Sequence, residues 1–206
     1  MSAGTVYVVD DDASMRRSVE RLLRSFGHRV ETFSSAQAFL DHPPVRDVGC
    51  LVLDLRMPGI DGLDLQGRLA ARGDDLPVIF VSGHGDVPSS VRAMKAGAFD
   101  FLTKPFDANV FGAAVERALD WHAERLASRA TLDALRARFY TLTPREREVC
   151  ELVAEGRLNK QVAELLGTTE KTIKVHRARV MEKLGVRSVA ELVRVVDRLR
   201  DARDIV

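Results

Sequence analysis

The hydrophobic positions of this chain follow two regimes. In the first half, short apolar runs alternate with stretches whose apolar residues recur every three to four positions. Residues 5–10 (TVYVVD), 29–33, 50–54 (CLVLD), 76–81 (LPVIFV) and 99–103 read as strands, and runs without alternation mark strands buried on both faces. Between them, residues 13–26 carry Met15, Val19, Leu22, Leu23 and Phe26 at helical spacing. Helices are also predicted over 36–40, about 63–71 and 87–96, with another opening near Asp107. Five strands alternating with five helices predict an α/β doubly wound parallel sheet covered on both faces.

The second regime is helical. Residues 108–140 hold no proline and, after Gly112, no glycine, so one long helix is predicted to run out of the α/β part. Leu119 and Leu126 are seven apart, but Leu132, Leu135 and Phe139 break the heptad, which disfavours a coiled coil. From 141 onward four short helices have explicit starts. Thr143-Pro144-Arg145-Glu146 is a capping box with proline at the first helical position. Asn159 is read as the cap of a second helix ended by Gly167, and Thr169 as the cap of a third ended by Gly185. Ser188–Glu191 is a further capping box, opening a fourth helix. Short helices with a glycine turn between the second and third predict a separate all-α four-helix helix-turn-helix domain. The division expected is 1–120, a helical linker 121–140, and 141–206.

Length fits one average domain plus a small one, and 46% hydrophobic with 30% charged residues excludes a disordered chain. No apolar stretch is long enough to span a bilayer and no leader follows Met1, so a cytoplasmic location is expected. Cys50 and Cys150 lie in separate apolar runs without metal-ligand spacing. Charge is uneven. Residues 1–120 hold 13 Lys/Arg against 17 Asp/Glu, whereas 141–206 hold 14 against 11. An acidic front and a basic back point to different partners.

Chemistry concentrates where the strands end. The first ends in Asp10-Asp11-Asp12, the third at Asp54, the fourth in Ser82-Gly83 and the fifth at Lys104-Pro105. In a doubly wound sheet these carboxyl ends share one rim. Alone, Asp12 (and Asp11) reads equally well as a helix cap, Ser82-Gly83 as a turn and Lys104 as a solvated charge. Together they form a set suited to Mg2+ and a phosphoryl group. Two carboxylates and a carbonyl hold the cation, Asp54 can form an acyl phosphate, and Lys104 and Ser82 meet phosphoryl oxygens. Rival phosphate chemistries fit poorly. Pro88 stands where a dinucleotide loop beginning Gly83-His84-Gly85 needs its third glycine, and there is no GxxxxGK[ST] loop. Arg56 occupies the position where an aspartyl-nucleophile phosphatase of the haloacid-dehalogenase type would carry a second Asp, so turnover catalysis is disfavoured.

On these residues, 1–120 resembles a bacterial response-regulator receiver domain. The resemblance implies a sheet of order 2-1-3-4-5. It implies a metal site of Asp10, Asp11, Asp54 and the Arg56 backbone carbonyl, with Asp54 as phosphoacceptor assisted by Lys104. It also implies a switch pair of Ser82 and Phe101; Phe101 lacks a phenolic hydroxyl, so that switch would work by burial. RMPGIDG and GHGDVPSSVRAMKAGAFDFLTKPF resemble the FixJ-like branch in particular, and Arg56 and His84 lie beside the site in that pattern.

In the third C-terminal helix, Ile173, Val180 and Leu184 fall on one stripe with Met181 at its margin. Lys171, Lys174, Val175, Ala178 and Arg179 lie opposite, with Thr172 at the border. Residues 169–187 carry six Lys/Arg against two Glu. A basic face opposite a core stripe suits the major groove. Arg177 lies towards the buried side. The segment TIKVHRARVMEKLGV, within about 140–200, resembles the LuxR/NarL-type output domain. That likeness implies DNA contacts from Lys171, Thr172, Lys174, Val175 and Arg179. Ala178 stands where that family often has a basic residue, and the fourth helix, with Leu192, Val195 and Leu199, would pair two copies.

The implied function is phosphorylation-activated transcription regulation, with no enzymatic turnover. The implied partners are a sensor histidine kinase, promoter DNA, RNA polymerase and a second copy of the chain. A phosphorylation-independent DNA-binding or interaction protein, with a merely structural receiver, is the alternative.

Overall fold

A computed structural model describes residues 4–83 and 87–201. The expectation for His84 beside the site, and the Gly85 of the loop, lie outside the described residues. Two compact units are present, residues 1–126 and 127–206.

The first unit alternates strand and helix: β1 (Thr5–Val9), α1 (Ala13–Ser25), β2 (Arg29–Phe33), α2 (Ala36–Leu40), β3 (Gly49–Asp54), α3 (Gly62–Ala71), β4 (Val78–Ser82), α4 (Val87–Lys95), β5 (Asp100–Thr103) and the first part of α5 (Ala108–Tyr140). The sheet is parallel with order β2-β1-β3-β4-β5. Period-two geometry sorts the unbroken apolar runs onto two faces. Val6, Val8, Cys50, Val52, Ile79 and Val81 pack under α1 and α5, through Val19, Leu23, Phe111 and Val115. Tyr7, Val9, Leu51, Leu53 and Phe80 pack against α2, α3 and α4, through Phe39, Leu65, Leu69 and Ala93. Each such side chain contributes about 1.5–3 kcal/mol by leaving water. This double covering is why the central strands lack alternation.

Strand bounds differ slightly from the sequence reading. β4 begins at Val78 rather than 76, because Pro77 has no N–H for the ladder; its carbonyl accepts from the Leu51 N–H instead. β1 ends at Val9, where the chain turns into the acidic loop.

The second unit contains the rest of α5, then α6 (Pro144–Ala154), α7 (Asn159–Leu165), α8 (Glu170–Leu184) and α9 (Val189–Asp201). Leu132, Leu135 and Phe139, irregular as a heptad, pack on the core of Val149, Val153, Val162, Ile173, Val180, Leu184, Leu192 and Val196. Their spacing serves this core. Accordingly, residues 127–140 of the stretch read as linker are part of the second unit.

Caps follow the sequence with two corrections. The Thr143 box forms as expected: the Glu146 N–H donates to Thr143 Oγ1, and Glu146 Oε2 accepts from the Thr143 N–H at 2.9 Å. Thr169 caps α8, and Gly185 ends it in the left-handed region (φ 69°). The N-cap of α7, however, is Leu158, whose N–H is accepted by Gln161; Asn159 is already helical, and its Oδ1 accepts from Arg177. At α9, Ser188 Oγ accepts from the Glu191 N–H, but the Glu191 carboxylate reaches the N–H of Arg187 rather than closing the box on Ser188.

Candidate functional site

The register places the ends of β1, β3, β4 and β5 at one rim: Val9 pairs with Leu53, Asp54 with Val81, and Ser82 with Thr103. Asp10, one residue past β1, is buried, with 5% of its surface exposed. Asp54 is the last residue of β3, and its side chain is 11% exposed. Lys104 follows β5, anchored by its N–H to the carbonyl of Ser82 at 2.8 Å. Its ammonium donates to Asp10 Oδ2 at 2.9 Å and to Asp54 Oδ1 at 3.0 Å. One cation thus ties together two carboxylates that would otherwise repel each other in a poorly hydrated pocket.

The remaining oxygens are also directed. Asp54 Oδ2 accepts from the Arg56 N–H at 3.1 Å, and Asp10 Oδ1 from the Asp12 N–H at 2.8 Å. A carboxylate oxygen has two lone-pair sites, so Asp54 keeps acceptor capacity on both oxygens. Burial pushes the Asp54 carboxyl above its ordinary range. The Lys104 hydrogen bond and charge oppose that, and the Asp10 charge adds to it. Burial alone would lower the Lys104 ammonium, but its bonds and charges with Asp10 and Asp54 outweigh this and hold it above the usual lysine value.

Asp12 is the cap of α1, as its alternative reading had it: Oδ1 accepts from the Ser14 N–H, the Ser14 hydroxyl and the Met15 N–H. The Ser14 hydroxyl bond, with these backbone donors, pulls its carboxyl below the ordinary range. Asp11 stands exposed beside the buried pair. Ser82 is buried. Phe101 is half-buried, its ring 6.2 Å from that of Phe80. Among the described residues, no three His, Cys, Asp or Glu side chains converge as a metal-ligand group. The donor types available at the rim, from Asp10, Asp11, Asp54 and the Arg56 carbonyl, are all hard oxygens, which fit Mg2+ rather than a softer ion.

In the second unit, Ile173, Val180 and Leu184 are buried, while Lys171, Lys174, Val175, Ala178 and Arg179 are exposed. The tally of six basic residues overstates that face. Arg177 turns inward to Asn159 at 3.2 Å, fixing α8 to α7. Lys183 donates to Glu146 Oε2 at 2.6 Å and to the Thr141 carbonyl at 3.1 Å. Thr172 is half-buried, its hydroxyl 2.9 Å from that of Thr169. Lys174 pairs with Glu170 at 3.3 Å across solvent, a contact worth little. Glu146 was legible only as a box residue. Its buried carboxylate, bonded by Lys183 and by the Thr143 N–H, is held below the ordinary glutamate range and joins α6 to α8.

A five-stranded sheet with an acidic rim, followed by a helix-turn-helix unit, defines a class: a receiver domain joined to a DNA-binding output domain. Residues 6–116 match the response regulator receiver domain family, and residues 140–196 match the bacterial regulatory proteins of the luxR family. The chain therefore belongs to the two-component response regulators of the NarL/FixJ type, a family of transcription regulators rather than of enzymes. It is 45% identical to the response regulator protein TmoT of Ectopseudomonas mendocina over 96% of this chain and 90% of that one. It is also 45% identical to the transcriptional regulatory protein FixJ of Bradyrhizobium diazoefficiens over 95% of each. The solved structure of the response regulator StyR superposes with a TM-score of 0.85 at 49% identity, covering 96% of this chain and all of that one. Receiver domains generally use Mg2+ where they are phosphorylated. No helix among the described residues is long and apolar enough to cross a membrane.

Proposed function

We propose that phosphorylation of Asp54 switches this chain between weak and strong engagement of promoter DNA. A sensor histidine kinase, or a small acyl-phosphate donor, supplies the phosphoryl group. A bond forms from Asp54 Oδ to phosphorus as the donor's bond to phosphorus breaks. From phosphohistidine this is the P–N bond, the imidazole leaving with the electron pair and taking up a proton; from an acyl phosphate it is the P–O bond, a carboxylate leaving with the pair. When bound, Mg2+ held by Asp10, Asp11, Asp54 and the Arg56 carbonyl neutralises charge on the phosphoryl oxygens. Lys104 pairs with one of those oxygens, exchanging its Asp54 contact for it, and the Ser82 hydroxyl meets another. The Ser82 movement opens space into which Phe101 turns, a packing change that needs no phenolic group. The phosphoryl group shifts the two receiver conformations only by favouring one over the other, since equal affinity for both shifts nothing. The phosphorylated form pairs with a second copy, and paired α9 helices present two α8 helices to half-sites related by two-fold symmetry. Of the residues expected to make that pairing, Leu192 and Leu199 are buried in the unit's own core, which leaves the outer face of α9, with the half-buried Val195 at its margin, to make it. Lys171, Thr172, Lys174, Val175 and Arg179 read or grip the duplex, and RNA polymerase is the downstream partner. In functional terms residues 1–120 receive, 121–140 join and 141–206 read.

The observation that carries this reading is the Lys104 ammonium clasped by Asp10 and Asp54, residues from three strand ends. A purely structural receiver would need no charged cluster at this edge, where buried ions cost stability. The test is operator affinity and solution mass of the intact chain, with and without beryllofluoride and Mg2+. Tighter binding together with a doubled mass is expected. Equal affinity and mass would favour the phosphorylation-independent reading.

A further inference from the structure

The loop between β1 and α1 sorts three consecutive carboxylates into three different roles, and one side chain outside the acidic rim closes it. Asp10 is fixed at both carboxylate oxygens, by Lys104 and by the Asp12 N–H. Asp12 is spent on capping α1 through three donors. Asp11 lies between these two anchored neighbours, its side chain in solvent. The backbone carbonyl of Asp10 takes the guanidinium of Arg16, whose Nη1 donates to it at 2.5 Å in a half-buried setting. The backbone from which Arg16 reaches is itself fixed, because the residue's N–H donates to the Asp12 carbonyl at 2.9 Å as the first hydrogen bond of α1. The chain from 10 to 16 is thus stapled at both ends, by backbone at one point and by a rigid planar fork at the other.

We propose that Arg16 is a positioning residue of the cation site: it holds the acidic loop in the curvature that aims Asp10 and Asp11 at one ion. This rests on the reading that those two carboxylates hold Mg2+. Two effects of the guanidinium have opposite signs, and their balance makes the proposal testable. As a nearby positive charge, Arg16 repels a divalent cation, so its removal would tighten binding on electrostatic grounds alone. As a staple, it spares the loop the conformational entropy of ordering when the ion arrives, so its removal weakens binding.

The test is calorimetric titration of the full-length chain with Mg2+, comparing wild type, Arg16→Ala, Arg16→Lys and Asp10→Asn, with melting temperatures in EDTA recorded alongside. Loss of an outer partner that orients a ligand weakens metal affinity by about tenfold or more, and that is the drop expected for Arg16→Ala. Arg16→Lys, which keeps the charge but only a point donor, should fall between the two. A general loss of stability would show in EDTA and would leave the affinity of the folded fraction unchanged. Mg2+ affinity in Arg16→Ala equal to or tighter than wild type overturns the proposal. Should Arg16→Ala fail to fold, Arg16→Lys decides it, because unchanged affinity there removes the staple. Asp10→Asn binding as tightly as wild type would instead overturn the site assignment itself.

Discussion

The rim of the first unit and the exposed face of α8 in the second are both clusters of charge, yet they are built in opposite ways. At the rim, Lys104 meets carboxylates 94 and 50 residues away, in a setting where its own side chain is 17% exposed and those of Asp10 and Asp54 are 8% and 11%. On α8 the candidate contacts lie within residues 171–179 of a single helix, and all but the half-buried Thr172 stand in solvent. The rim is a low-dielectric site in which each charge needs a defined partner. The helix face carries solvated charges that do little inside the fold, Lys174 meeting only Glu170 across solvent, and on the proposed reading they act against a polyanion. A charge in the first setting is specified to a fraction of an ångström, and a charge in the second only to a side of a helix.

Substitutions can break or sharpen that contrast. The largest effect belongs to the rim. Asp54→Asn should abolish covalent labelling from a phosphodonor while leaving the DNA affinity of the unphosphorylated chain at the wild-type level; labelling equal to wild type would dissolve the assignment. Next comes a charge of the second unit that behaves like a rim charge. Glu146→Gln keeps the shape of the capping box but loses a charge-assisted bond to Lys183, and should cost about 1.5–3 kcal/mol in denaturant unfolding of that unit. Glu146 titrates below its ordinary range when folded, so its contribution is complete above the usual glutamate value and is lost as acid carries the pH down through the depressed one.

Lys174→Ala should weaken specific operator binding by about 1–3 kcal/mol if its ammonium reaches a base edge, with no change in melting temperature. Arg177→Ala, three residues on, should do the reverse: a lower melting temperature from the lost Asn159 bond, and an unchanged salt dependence of DNA binding. Equal DNA effects from the two would erase the inward and outward division of α8. The smallest effect concerns His122, buried on α5, whose Nδ1 accepts from the Gly49 N–H at 3.0 Å. Burial holds this imidazole below its ordinary range despite the nearby Asp74 and Asp75, and an Nδ1 that accepts from the Gly49 N–H has to be unprotonated. Its stabilisation is therefore full above the usual histidine value and is lost as pH falls through the lowered one, because the unfolded chain takes up the proton first. A melting series of wild type and His122→Gln across that window should show the slope flattened in the variant.

Much of this was legible in the letters because apolar periodicity is a local signal. All five strands, the glycine stops and the Thr143 and Thr169 caps follow from residues within a few positions of one another. Asn159 misled for the same reason. A cap-type residue before a helix looks like a cap, whereas its side chain was claimed by Arg177, 18 residues away. Lys183 counted as one of six basic residues until its bond to Glu146, 37 residues earlier, withdrew it. Arg16 offered no signal at all, since an arginine on an amphipathic helix reads as a solvated charge until its fork is seen on the Asp10 carbonyl.

By itself, then, the order of amino acids determined the alternation of elements, the two regimes of the chain and the candidate acids and base at the strand ends, because hydrophobic period and capping chemistry act over one or two helical turns. Tertiary structure alone decided which of three adjacent aspartates is buried, which caps and which faces water, and which basic residues of α8 look outward. Those outcomes depend on what packs opposite each side chain, and a charge removed from water takes whichever partner the fold brings within 3 Å.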